Sequence, residues 1–190
     1  MTVFADLLDL RTAVIEQVGR PDIADVFPRF VAMAESRLNR SLRLREQISN
    51  ATITVASGVG PLPADFGEMI GLFAANGYEY VQQSPQHMDG YVYSIQNGNI
   101  VSPLISGDVT AKYYATIPAL SAMTDSNWLL ERYPDIYLYS VAFEAAKHGG
   151  DKETAGDMRG LMDEAIATAK ADDEAARYSR ARVRVAGCTP

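Results

Sequence analysis

The sequence predicts an α+β fold: a bundle of about four helices with an inserted antiparallel β region. Three observations carry this. Residues 134–148 are apolar or aromatic round most of a helical circumference, the mark of an element inside a bundle. After Glu46 the apolar period changes from 3.6 to 2, and two Asn-Gly pairs follow at Asn76–Gly77 and Asn97–Gly98. Beyond Gly149–Gly150 the helical period returns.

Pro134 suits a first helical turn, where a missing N–H costs nothing, and biases Tyr133 toward extended backbone. From there Ile136, Tyr137, Leu138, Tyr139, Val141, Ala142, Phe143, Ala145 and Ala146 are apolar or aromatic. Ser140, Glu144 and Lys147, at i, i+4 and i+7, form one exposed polar stripe facing water or a partner. Each buried aromatic contributes roughly 1.5–3 kcal/mol, so Tyr137→Ala or Phe143→Ala is expected to collapse the domain. Trp128, Leu129, Leu130 and Tyr133 make a short apolar foot capped by Asp125 or Ser126.

Residues 3–18 read as an amphipathic helix with Phe4, Leu7, Leu8, Val14, Ile15 and Val18 on one face. A second helix starts near Ile23 or at Pro28, burying Phe27, Phe30, Val31, Ala34, Leu38 and Leu42 while Arg29, Glu35, Arg40 and Arg43 face away. Residues 48–117 follow as a five- or six-stranded antiparallel sheet, with Ser57–Gly60 as a turn and Asn97–Gly98 as a hairpin tip. Tyrosines 78, 80, 91, 93, 113 and 114 favour strands. They pack the sheet or stack nucleobases; the latter wants a basic groove, and this region has Lys112 as its one lysine and no arginine. Past Gly149–Gly150, Asp151 caps a helix over residues 152–177, whose Ala165, Ala169 and Ala176 let another helix approach closely. The organisation is thus 1–47 with 118–177 as helical part, 48–117 as β insertion, and 178–190 as a basic C-terminal arm, either a short strand or an extended segment.

Composition bounds the function. The 190 residues are 47% hydrophobic, ample for a core. No run approaches the ~20 apolar residues that span a bilayer, and the start lacks the order of a signal peptide, so a soluble chain made in a cytoplasm is expected. Cys188 is the sole cysteine, which leaves no intrachain disulfide. Net charge is −7, but Arg177, Arg180, Arg182 and Arg184 are the only charged side chains after Ala176. Setting those four aside leaves 13 Lys+Arg against 24 Asp+Glu, so residues 1–176 carry −11 and the tail +4. An acidic body argues against phosphate-driven nucleic-acid binding.

Catalytic and metal constellations are sparse. His87 and His148 lack a second ligand at helical or hairpin spacing. Asp163, Glu164, Asp172, Asp173 and Glu174 fall on the outer face of the last helix. Glu144 could pair with Lys147 or act with His148 one turn on, and a tyrosine-lined sheet could form the pocket of a small regulatory or ligand-binding domain. No metal or cofactor is implied.

Three segments resemble the head-to-tail adaptor (connector) proteins of tailed bacteriophages and related gene transfer agents. They are Phe30–Arg40 followed by Leu42–Arg43, the Leu62–Phe66 bend after a Thr/Val strand, and Trp128–Ala146 with its Leu129–Tyr137 core. The resemblance implies a structural virion protein, not an enzyme, located in the neck between capsid and tail and in the host cytoplasm during assembly. It implies a homo-oligomeric ring of about twelve copies on the portal protein. That ring extends the DNA channel without sequence-specific binding, presents a docking surface to a tail or nozzle protein, and contacts no membrane. It also implies that the arm, through Arg177, Tyr178, Arg180, Arg182, Val183, Arg184 and Val185, touches the portal or a neighbouring subunit. Fully extended, those last 14 residues reach roughly 45 Å.

Overall fold

The computed structural model describes residues 3–178. The chain is mixed α+β and divides into two compact units, one of the segments up to Leu44 and from Pro118 onward, the other of Arg45–Ile117.

The first unit is helical. Helix α1 (Leu7–Val18) begins later than the apolar pattern suggests, because the Asp6 side chain accepts from the N–H groups of Leu8 and Asp9 and so fixes the first turn. Its inward face is Leu7, Leu10 and Val14; Leu8, expected inside, is exposed. Helix α2 (Phe27–Ser41), entered through a short 3-10 turn at Pro21–Ile23, buries Phe27, Phe30, Val31, Ala34 and Leu38. Helix α3 (Trp128–Arg132) is capped by Asn127, whose Oδ1 accepts from Leu130 N at 3.0 Å, not by Asp125 or Ser126. Asp125 instead gathers the N–H groups of Ser121 and Ala122, which hold its carboxyl below the usual range.

Helix α4 (Pro134–His148) is the hub, packing against α1, α2 and α5 (Lys152–Tyr178). Tyr137, Val141, Ala142, Ala145 and Ala146 are buried completely. Asp151 opens α5 by accepting from Thr154 N and Oγ1. Ala165 and Ala169 of α5 are buried within the chain together with Met158 and Met162, so they form an internal helix contact and not a free seam for a neighbouring copy.

The second unit is a seven-stranded sheet, richer than the expected five or six strands. Its strands are β1 (Ile48–Val55), β2 (Val59–Pro61), β3 (Phe66–Ala74), β4 (Glu79–Gln82), β5 (Val92–Gln96), β6 (Asn99–Val101) and β7 (Gly107–Ala115), in the order β1-β7-β3-β4-β5-β6-β2. The pairings are antiparallel except β4–β5, which runs parallel over Val81↔Val92 and Gln82↔Tyr93. Residues 83–91, with a turn at Ser84–His87 and Gly90 at φ +91°, carry the chain back to start β5 alongside β4.

Strand β2 is the element that the Ser57–Gly60 turn reading missed. Ser57 and Gly58, both at positive φ, make a two-residue turn; Ala56 and Val59 then exchange both backbone hydrogen bonds. Since β1 and β2 are the two end strands of the order, this bridge turns the sheet back on itself. Inside lie Ile53, Val55, Leu72, Tyr93, Ile100, Ile105, Val109, Ala111 and Tyr113.

The two Asn-Gly turns differ. Asn97 and Gly98, at φ +49° and +74°, close the β5–β6 hairpin with Gln96 opposite Asn99. At Asn76–Gly77 only the glycine has positive φ, and Ala74 N bonds to Tyr78 O, so this loop holds three residues, 75–77, instead of two.

Candidate functional site

The polar stripe of α4 is not a solvated seam. Ser140 and Glu144 are buried, and only Lys147 is exposed. The reason lies on α2. Arg37 reaches Glu144 Oε1 with both Nε, at 3.2 Å, and Nη2, and a carboxylate so paired and hydrogen-bonded can sit inside. The Arg37 guanidinium also lies 4.6 Å from the centroid of the Phe143 ring, and Lys147 Nζ is 5.8 Å from it. Phe143 is therefore a half-buried platform for two cations and not the core anchor that its helical position suggests.

Around this ion pair α2 and α4 form an open groove of about 440 Å³ whose lining includes Arg29, Met33, Arg37, Arg40, Glu144 and Lys147. It continues toward Phe30 and His148, whose rings meet at 5.3 Å. Four cations face one carboxylate there, on a chain of net charge −7. Glu144 Oε1 is committed to Arg37, and Lys147 Nζ stands 3.9 Å from Oε2; the site reads as a structural charge cluster. Among the described residues no group of three His, Cys, Asp or Glu side chains could hold a metal ion.

A second polar cluster lies deeper. Glu35, placed on the outer face of its helix by the sequence pattern, is buried; its Oε1 accepts from Tyr137 Oη at 2.8 Å and from Leu120 N at 2.9 Å. Asn127 Nδ2 donates to Tyr137 Oη and to Pro118 O. Burial pushes the Glu35 carboxyl above its ordinary value, and burial beside that carboxyl pushes the Tyr137 phenol up as well. The signal was available: Glu35 is four residues after Val31 and three before Leu38, both core positions.

The remaining expected contact residues fall in different places. Arg177 lies in α5, where its Nε pairs with Asp173 Oδ2 at 2.7 Å and Nη2 reaches Arg43 O at 3.4 Å. Asp173, expected on the outer face, is accordingly buried. Tyr178 is the last residue of α5; Arg180, Arg182, Val183, Arg184 and Val185 lie outside the described residues. Asn97 and Gly98 sit at the β5–β6 tip. In the β unit Tyr93 and Tyr113 are buried, while Tyr78 and Tyr91 are exposed on separate segments. Tyr80 and Tyr93 border a shallow depression of about 300 Å³ with Met69, Ile70, Glu79 and Val81. Among the described residues, then, the tyrosines are divided between the interior and separate exposed segments.

The arrangement offers surfaces for macromolecular contact: a cationic groove on α2–α4 and a long exposed face on α5. No helix among the described residues is long and apolar enough to cross a membrane. No curated protein matches the chain. The family model described as SU10 adaptor protein matches residues 5–185, nearly the whole sequence, and the chain belongs to this family of phage head-to-tail adaptors.

Proposed function

We propose that the chain is a structural part of a phage neck, assembling as a ring of about twelve copies between portal and tail. The family match over residues 5–185 carries this reading. In it the helices act as a bundle bearing the β insertion, the ring extends the DNA channel, and its far face receives a tail or nozzle protein. The chain catalyses no reaction.

A predominantly acidic body supports a lumen through which duplex DNA slides without sequence-specific attachment, since like charge keeps phosphate off the wall. The basic arm, residues 178–190, supplies the contact to the portal or a neighbouring subunit. Its arginines at 180, 182 and 184 meet carboxylates there, each exposed pair contributing only ~0.2–1 kcal/mol but together setting orientation.

Deletion of 178–190 tests this. The truncated chain is expected to keep its circular dichroism spectrum and melting behaviour yet fail to sediment with purified portal rings; docking at the full-length level would refute the role of the arm.

A further inference from the structure

The helical unit carries two exposed surfaces of opposite charge and similar layout. On α2, Met33 is 43% exposed and lies one turn from Arg29 and Arg37, with Arg40 and Lys147 completing the rim; no carboxylate of α2 faces outward, because Glu35 is buried. On α5, Leu161 is 38% exposed and lies one turn from Asp157 and Glu164. At 100° per residue Glu153, Asp157, Glu164 and Asp172 share one flank of that helix, and no base stands among them. Arg29, Arg40, Asp157 and Glu164 make no ion pair with any described residue.

These flanks do not face each other within one molecule. The flank of α5 that borders a pocket with Arg43, two residues past the end of α2, is a different one of mixed charge, with Lys170 and Arg177 beside Asp173 and Glu174. The acidic flank lies on the far side of α5 from those residues. A surface that cannot meet its complement in its own chain can meet it in the next, and such a contact repeats head to tail.

We propose that the α2–α4 groove takes the acidic flank of α5 from a second copy, Leu161 seating against Met33 while Asp157 and Glu164 meet Arg29 and Arg40. Like charges on each surface disfavour the symmetric pairings, α2 on α2 and α5 on α5, and this leaves the direction that propagates into a ring. The inference rests on the ring reading and adds the faces that meet.

Charge reversal in the full-length chain tests it. Arg29→Glu with Arg40→Glu, and separately Asp157→Lys with Glu164→Lys, are exposed substitutions that leave the hydrophobic core untouched; circular dichroism and melting check each fold. Assembly is followed by light scattering, alone and on portal rings, beside binding to a random-sequence duplex. Each reversed protein is expected to assemble at least tenfold more weakly than wild type. An equimolar mixture of the two, or all four substitutions in one chain, is expected to recover assembly. Wild type that assembles while either reversed protein assembles as well overturns the interface and leaves the ring reading standing. Wild type that assembles in neither setting overturns both. A groove reversal that loses only duplex binding overturns the interface and assigns the groove to DNA phosphate.

Discussion

Tyr137 Oη donates to Glu35 Oε1 at 2.8 Å, tying α4 to α2 inside the helical unit across 102 positions of sequence. Asn127 and Leu120 complete the cluster, so the loop before α3 is held by the same carboxylate that joins the two helices. Removing the hydroxyl leaves buried donors and acceptors short of a partner. Tyr137→Phe is expected to cost about 1–3 kcal/mol, and Tyr137→Ala, which adds a cavity, about 3–5 kcal/mol. Urea denaturation of the purified variants gives both values.

Glu35 makes stability depend on pH in a direction opposite to that of most carboxylates. Burial raises its folded-state pKa above the ordinary 4.5, so the folded chain holds this proton more tightly than the unfolded one. The contribution is therefore fully present below pH 4.5 and is lost as pH climbs through the raised folded value. Glu35→Gln keeps an oxygen for Leu120 N and Tyr137 Oη but has no proton to lose. The stability of wild type relative to that variant is expected to fall as pH rises above 4.5; a constant difference across the range contradicts the assignment.

Arg37 is what permits Glu144 to be buried. With Arg37→Met the carboxylate keeps only Lys147, whose Nζ is 3.9 Å away, and the loss is expected at about 3 kcal/mol, the lower end for a broken buried pair. Replacing both partners, Arg37→Met with Glu144→Leu, is expected to recover most of that loss, since no charge is then left buried. A double-mutant cycle by chemical denaturation reads the coupling directly.

Gly58 closes the β unit. It sits at φ +80°, and a Cβ there would overlap the carbonyl oxygen of Ser102, which cannot move without disturbing the chain beside β6. Gly58→Ala is expected to cost about 3 kcal/mol and to speed hydrogen exchange in β1 and β2 while leaving α4 protected. Equal loss of protection in α4 would contradict the treatment of the β segment as its own compact unit.

Periodicity made some of this legible from sequence. The start at Pro134 and the glycine stop after His148 bound α4 correctly, because proline and glycine act locally whatever surrounds them. The hairpin at Asn97–Gly98 was readable for the same reason. Burial of charge was not. Glu35, Glu144 and Asp173 are acidic and were assigned to outer faces, but Tyr137 with Leu120, Arg37, and Arg177 respectively satisfy them inside. The partners of Glu35 and Glu144 lie 85 to 107 residues away, and periodicity, which places Glu35 among core positions, does not name a partner at that range; Arg177 is one turn from Asp173, so that pair was within reach of the sequence. Strand β2 escaped notice because its Val-Gly-Pro sequence reads as turn, and only its pairing to β6 makes it a strand. The parallel β4–β5 pairing depends on the path of 83–91, which no local pattern encodes.

The central claim, that the chain is a neck adaptor built to join copies of itself on a portal, is tested most directly by weighing what forms on purified portal rings. Native mass spectrometry of portal mixed with excess full-length chain is expected to show one closed complement of about twelve added copies and no partial series. A portal mass unchanged at any chain concentration would contradict it.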